Sequence, residues 1–526
     1  MKTTNSIARS ILAPAAALLF AATAHAAAPG ITGPTFNLQA QTAFLNQPDG
    51  AGVYAWGYGC NGSPSGFAPA AITNATCGPM QVPGPTLIVT EGQTVTVNLT
   101  NGLPASAGNT SILFPGFAVT TTGGVTGLLT QEAAPGGTVT YTFTAGSPGT
   151  RAYYSGTQGD LQVEMGLYGA IIVLPKNVPA ACTSGLHAAN LQVEAFWHES
   201  DFRLSQAAYD HPGTCYDREY LFQFSEMDSN IHRQALAQVT ATNGCTAGAP
   251  GCSLNVPTEP YHPSYFLING RSMPDDMDAN YGLEYPHQPY NGNPHMHPGE
   301  LTLIRVIGQG RWQHPFHEHA NHVRILGRDG NLILSATDPN SLAGLLMFTT
   351  DTTPGQAFDG IFYFTGRGLN WDAYGHNPTS TDASATLPCH PDANGYYTVN
   401  STPPAPVSTI NYYEWCQDHN KPLQVAPFGD VAGGGPATLP DPNILTNGAW
   451  YSGSPYLGPD ATVRASGTTS SFQPANTQGN PSNERGWAYM WHSHNEREIT
   501  TNNVFPGGML MMMLVDSREF VIDESN

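Results

Sequence analysis

The chain has 526 residues with 18 Lys+Arg against 39 Asp+Glu and a formal net charge of −21. No basic cluster is present to neutralise a phosphate backbone, which argues against a nucleic-acid partner. With 57 glycines and 44 prolines it is rich in the punctuation of β-structure, and it is long enough for two or three domains.

In chain order, Lys2 and Arg9 precede and enter an apolar run from Ile11 to Ala24, which ends in the small-residue pattern Ala24-His25-Ala26. This pattern predicts an export signal over residues 1–26 and a mature chain starting near Ala27, soluble and either periplasmic or secreted. No twin-arginine pair precedes the run, so general secretion is expected. The later apolar stretch Met509 to Val515 is far too short to span a bilayer, so no membrane span is expected. All eight cysteines, at 60, 77, 182, 215, 245, 252, 389 and 416, follow the cleavage site, and an even number in an exported chain reads as disulfides. Sequence neighbours suggest Cys60–Cys77, Cys182–Cys215, Cys245–Cys252 and Cys389–Cys416, among on the order of a hundred possible pairings.

The first third holds short alternating runs: Leu87-Ile88-Val89, Thr94 to Leu99, and Val139 to Phe143, each bounded by Gly, Pro or Asn. Period-two alternation at this spacing predicts a β-sandwich. A second set of strands is expected from Leu191-Gln192-Val193 through Tyr265 to Gly270, Leu301 to Ile307, Val323 to Leu326 and Ile361 to Phe364, giving a second sandwich. Long amphipathic helices are not expected. Between about 372 and 484 the pattern dissolves into Pro, Gly, Asn, Ser and Thr, which predicts a surface insertion pinned by a disulfide. Closing strands are expected at Trp487 to His494 and Met509 to Val515. The domain reading is therefore one sandwich over 30–176 and a second over 187–526, interrupted by the insertion.

"HPFHEHANH" supplies His314, His317, His319 and His322, and "WHSHNE" supplies His492 and His494. Residues two apart on a strand share a face, so each His-x-His pair can point one way, and two pairs on neighbouring strands converge four imidazoles. Such a set suits copper, or failing that zinc. His295 and His297 in "NPHMHPGE" have the same spacing but read first as a surface turn. Met509, Met511 and Met513 alternate with Leu510, Met512 and Leu514, as expected for a central strand apolar on both faces. Glu318, Glu496 and Glu498 lie close in sequence to the histidines, where they could orient ligands or bind a metal directly, although solvated carboxylates are commoner.

Five fragments in order, "VPGPTLIVTEGQTVTVNLTN", "GLYGAIIVLP", "YFLINGR", "HPFHEH", and "WHSHNE" followed by "PGGM", resemble a multicopper oxidase built from cupredoxin domains. The resemblance implies an all-β fold of two cupredoxin-like Greek-key sandwiches, a copper cofactor and, by analogy with two-domain relatives, a homotrimer with a small-molecule reductant. The family's oxygen site uses four His-x-His pairs, and this chain keeps only two. Leu113 and Pro115 stand at the first pair, and Tyr154 and Gly156 at the second. At the type 1 copper, His314 and Met509 occupy ligand positions, but Ser493 replaces the cysteine and Glu498 falls at the second histidine's place. What remains is His317, His319, His492 and His494; the resemblance assigns His319 and His492 to one copper. Three readings stay open: an exported copper-binding protein with a reduced mononuclear site, a copper-dependent oxidoreductase with Tyr153 or Tyr154 near the metal, and a structural sandwich with remnant histidines.

Overall fold

The computed structural model describes residues 27–184, 187, 191–192, 194–195, 198–297, 299–364, 393, 486–516 and 521–524. Residues 1–26, most of the expected insertion and the cysteines Cys389 and Cys416 lie outside the described residues. The strands form four large sheets packed as two sandwiches. In the first sandwich, one sheet has the order Gly149–Tyr154, Tyr168–Leu174, Leu87–Thr90, Gly30–Thr32, Phe67–Ala68. Its partner has the order Gly52–Cys60, Thr35–Asn46, Thr94–Asn101, Thr138–Thr144, Thr120–Gly123. Parallel pairing of Gly30–Thr32 with Leu87–Thr90, and of Thr35–Asn46 with Thr94–Asn101, gives both sheets mixed polarity. The period-two pattern does the sorting: Val95, Val97 and Leu99 turn inward against Val139, Tyr141 and Phe143, while the intervening threonines face out.

The second sandwich joins a sheet ordered Tyr265–Ile268, Arg218–Met227, Leu301–Gly308, Ala357–Tyr363, Val323–Arg328, Asn331–Leu332 to one ordered His295–Met296, Leu510–Asp516, Gly486–Ser493, Pro315–Glu318, Thr349–Asp351. Its core gathers Phe222, Phe316, Phe362 and Trp491 around Met509, Met511 and Met513. Met512 and Leu514 are buried on the opposite face beside Met277 and Met490, so both faces of the methionine strand are covered. Each fully buried large side chain here contributes about 1.5–3 kcal/mol. The expected all-β pair of sandwiches is what the described residues form.

Arg218–Met227 is buried along its whole length because the two sandwiches pack on each other. Ala28, Ala152, Ala170 and Ile172 of the first meet Leu221, Ile307 and Ala357 of the second, and the alanines let the backbones approach. Asp359 pins the seam, accepting from Thr150 Oγ1 at 2.5 Å, Tyr209 Oη at 2.6 Å and Arg305 Nη1 at 3.3 Å.

Three expectations need correction. Residues 191–192 are helical, not the start of a strand. A helix, Ser229–Ala241, was not anticipated; Asp228 caps it by accepting from the Asn230 N–H, a contact worth about 1 kcal/mol, and Ile231, His232 and Ala235 turn inward as it packs on Gly52–Cys60. His295 and His297 are not on a surface turn: His295–Met296 is a short strand parallel to Leu514 and Val515, and both histidines are buried. The pairings Cys60–Cys77, Cys182–Cys215 and Cys245–Cys252 are present as disulfides. Among the described residues no helix is long and apolar enough to cross a membrane.

Candidate metal centre

Antiparallel pairing of Pro315–Glu318 with Gly486–Ser493 sets His317 directly opposite His492. His319 lies two residues on, one past the end of its strand, and the Trp491 indole N–H holds its carbonyl at 3.2 Å. The ring centroids of His317, His319 and His492 are 5.0 to 5.5 Å apart, and His494 lies 4.8 Å from His317. One ligand nitrogen from each of His317, His319 and His492 falls within 4.8 Å of the others. These three rings are buried, whereas the His494 side chain is 53% exposed.

Neighbouring groups choose which nitrogens face the centre. His317 Nδ1 is 2.6 Å from Thr349 Oγ1, and His492 Nδ1 donates to the Ser493 carbonyl at 2.7 Å, leaving Nε2 of each for a ligand. Nε2 of His492 lies 3.2 Å from Nε2 of His319, and His319 Nδ1 is buried without a hydrogen-bond partner. Burial, reinforced by the neighbouring imidazoles, pushes His317 down to about 4 and His319 down to about 3, and burial lowers His492 as well. The rings are therefore neutral near pH 7, the form that binds metal. An uncharged donor set with an unsatisfied buried nitrogen fits a borderline ion such as copper.

His314 stands apart from this cluster. It is fully buried between two carboxylates, with Nε2 2.9 Å from Glu226 Oε2 and Nδ1 2.9 Å from Glu498 Oε2. Burial opposes its charge, but the hydrogen bonds to Glu226 and Glu498 outweigh it and raise His314 to about 9. Ser493 Oγ donates to the same Glu498 oxygen at 2.5 Å, and the backbone N–H groups of Arg311 and Trp312 donate to Glu226 Oε1. An imidazolium–dicarboxylate group thus fills the place where the resemblance implies a type 1 copper. Met509 is buried in the core and follows Gly508, where the φ of +62° and the 2.1 Å at which an added Cβ would meet the Glu498 carbonyl oxygen leave no room for a side chain.

Glu318 is fully buried with neither carboxyl oxygen hydrogen-bonded, and burial drives its acid well above the ordinary range. Glu496 is solvent-exposed, 3.7 Å from His494. In the first sandwich Leu113 pairs with Tyr154 as an isolated bridge, and a side chain at Gly156 would meet Leu113 at 2.8 Å. Tyr153 donates to the Pro85 carbonyl at 2.7 Å, while Tyr154 lines a cavity of about 170 Å³ with Gln309, Gly310 and Gly355. Sequence reasoning missed Glu226 and Thr349; neither lies in a motif, and each reaches its histidine only through sheet packing.

Residues 72–178 match the family model described as "Multicopper oxidase". Over 107 residues the chain is 38% identical to multicopper oxidase MCE of Talaromyces pinophilus, a match covering 20% of this chain and 17% of that protein. It is also similar to the blue copper oxidase of Nitrosomonas europaea, with 15% identity, 91% of this chain and 85% of that one covered, and a TM-score of 0.43. Against the copper nitrite reductase of the same organism the identity is 19%, with 62% and 84% covered and a TM-score of 0.35. The likeness to the multicopper oxidase family thus rests on residues 72–178, and the chain spans less than a fifth of the length of the curated relative it matches.

Proposed function

We propose that this chain is an exported copper-binding protein that holds a single ion on His317, His319 and His492, with His494 closing the site from the solvent side. The supporting observation is the convergence of three buried, neutral imidazoles within 4.8 Å of one another. Copper bound there would supply an ion able to change between its cuprous and cupric states. The protein's own part is to orient the rings: Thr349 and the Ser493 carbonyl fix two Nδ1 atoms, and the Trp491 indole anchors the His319 backbone. Four-electron oxygen reduction is not part of this reading, because Leu113, Pro115, Tyr154, Gly156 and Ser493 offer no imidazole or thiolate at the family's remaining ligand positions.

The test is elemental analysis of mature protein loaded with copper and desalted, with about one copper per chain expected. Four tightly held coppers, or none, would overturn the proposal. Export is tested by N-terminal sequencing of protein recovered outside the cytoplasm, with a start near Ala27 expected.

A further inference from the structure

The register that sets His317 opposite His492 continues beyond the paired strand residues. On one side the His494 N–H donates to the Pro315 carbonyl at 2.7 Å, and on the other the His319 N–H donates to the Met490 carbonyl at 3.3 Å. Met490 is therefore the direct cross-strand partner of His319. Directly opposed residues share a face, as do residues two apart on one strand, so the Met490 side chain leaves the sheet on the face that carries His317, His319 and His492. The Cβ atoms of such a pair are about 4.5–5.5 Å apart, within easy reach for a side chain with three rotatable bonds. Two successive cross-strand pairs, His317 with His492 and His319 with Met490, thus make a square with imidazoles at three corners and a thioether at the fourth.

The neighbouring methionines are placed differently. Met512 stands opposite Met490 on the next strand, one strand further from the histidines, and is 7% exposed. The Met277 sulfur already accepts the Met512 N–H at 3.3 Å. Met509, at the position where the resemblance implies an axial ligand, turns inward with Met511 and Met513. Met490 is half-buried and borders both the apolar group of Met512 and Leu514 and the imidazole cluster.

The chemistry of the fourth corner decides which copper ion the square prefers. Imidazole serves cuprous and cupric copper alike, whereas a thioether is a soft, uncharged donor that selects the cuprous ion. The nearby carboxylates do not offset that preference, because Glu318 faces the other side of its strand and Glu496 is exposed to solvent. The geometry points to Met490 as a further ligand of the histidine site, whose thioether biases that site toward cuprous copper. The assignment rests on the histidine cluster being the copper site, and its test keeps the two apart.

The mature full-length chain and its Met490→Leu variant, a volume-conserving change, are compared for both ions. Cuprous copper is held reduced by ascorbate without oxygen and its affinity read by competition with bicinchoninate; cupric copper is read by competition with an amino-acid chelator. Met490→Leu should weaken cuprous binding by more than about tenfold and cupric binding by less than about threefold. Equal losses for the two ions, or no loss of cuprous affinity, overturn the role of Met490 while leaving the histidine site standing. Wild type that binds neither ion overturns the copper reading itself, and Met490 falls with it. X-ray absorption at the copper edge of the reduced wild type is independent of how the variant folds: a sulfur neighbour beside imidazole nitrogens is expected, and a nitrogen-only shell overturns the proposal. The sulfur neighbour should vanish in Met490→Leu; its persistence would assign the thioether to Met512 or Met277 and overturn the choice of Met490.

Discussion

His319 and His492 meet Nε2 to Nε2 at 3.2 Å across two neighbouring strands, so one ring must donate its proton to the other unless a cation takes the proton's place. The contact identifies the two residues whose loss should matter most. His319→Ala and His492→Ala should each lower copper affinity by at least about tenfold, whereas His494→Ala, removing an exposed ring, should do less. Competition with a chelator of known affinity measures all three. Equal copper retention by both inner variants would mean that the ion sits elsewhere.

His314 makes stability depend on pH in a defined direction. Its folded pKa, about 9, lies above the ordinary histidine value, so the native state binds the extra proton. The resulting stabilisation is fully present below about pH 6.5 and is lost as pH rises through about 9, an effect of at most a few kcal/mol. Thermal melting of the metal-free protein between these limits should show the decline, and His314→Gln should flatten it. An unchanged alkaline slope in the variant would remove His314 as the cause.

Glu318 costs the fold stability, because it buries a carboxyl group with no hydrogen bond to either oxygen. Glu318→Leu should stabilise by about 1–3 kcal/mol and raise the melting temperature. Copper retention should not change, since alternation on the strand turns residue 318 away from the side shared by His317 and His319. A lower melting temperature would show that Glu318 has a partner when the chain is in solution.

The strands and the two His-x-His pairs were legible because period-two patterning is local. The sequence alone showed that His317 and His319 share a side, as do His492 and His494. It could not show that His317 stands opposite His492, because register is set by the fit of whole strands. Glu226 was illegible for a similar reason: it sits in the buried strand Arg218–Met227 and meets His314 only through packing. The helix Ser229–Ala241 did carry a signal, with Asp228 as cap and Ile231, Ala235 and Val239 four residues apart. Its small and polar residues masked that pattern. His295 and His297 were misread because flanking Pro and Gly suggested a turn, while the strand that covers them, Leu510–Asp516, lies more than two hundred residues away.

The position where the resemblance implies a type 1 copper yields the sharpest spectroscopic prediction. An intense blue band requires a copper–thiolate bond, and Ser493 cannot provide one; the three disulfides seen here also leave no free thiol among the described residues. Copper-loaded wild type should therefore absorb only weakly in the visible. Ser493→Cys alone should not create the band, because both His314 nitrogens remain hydrogen-bonded to Glu226 and Glu498, and Glu498 stands where a second imidazole is needed. Combining Ser493→Cys with Glu498→His and Glu226→Gln supplies the thiolate and the second imidazole and removes both carboxylates from His314. That triple variant is the one in which a blue band should appear, read by absorption at one copper added beyond the histidine cluster's equivalent. A blue Ser493→Cys single variant would show that His314 gives up its carboxylates to a metal readily, and that the ion pair is not what closes this site.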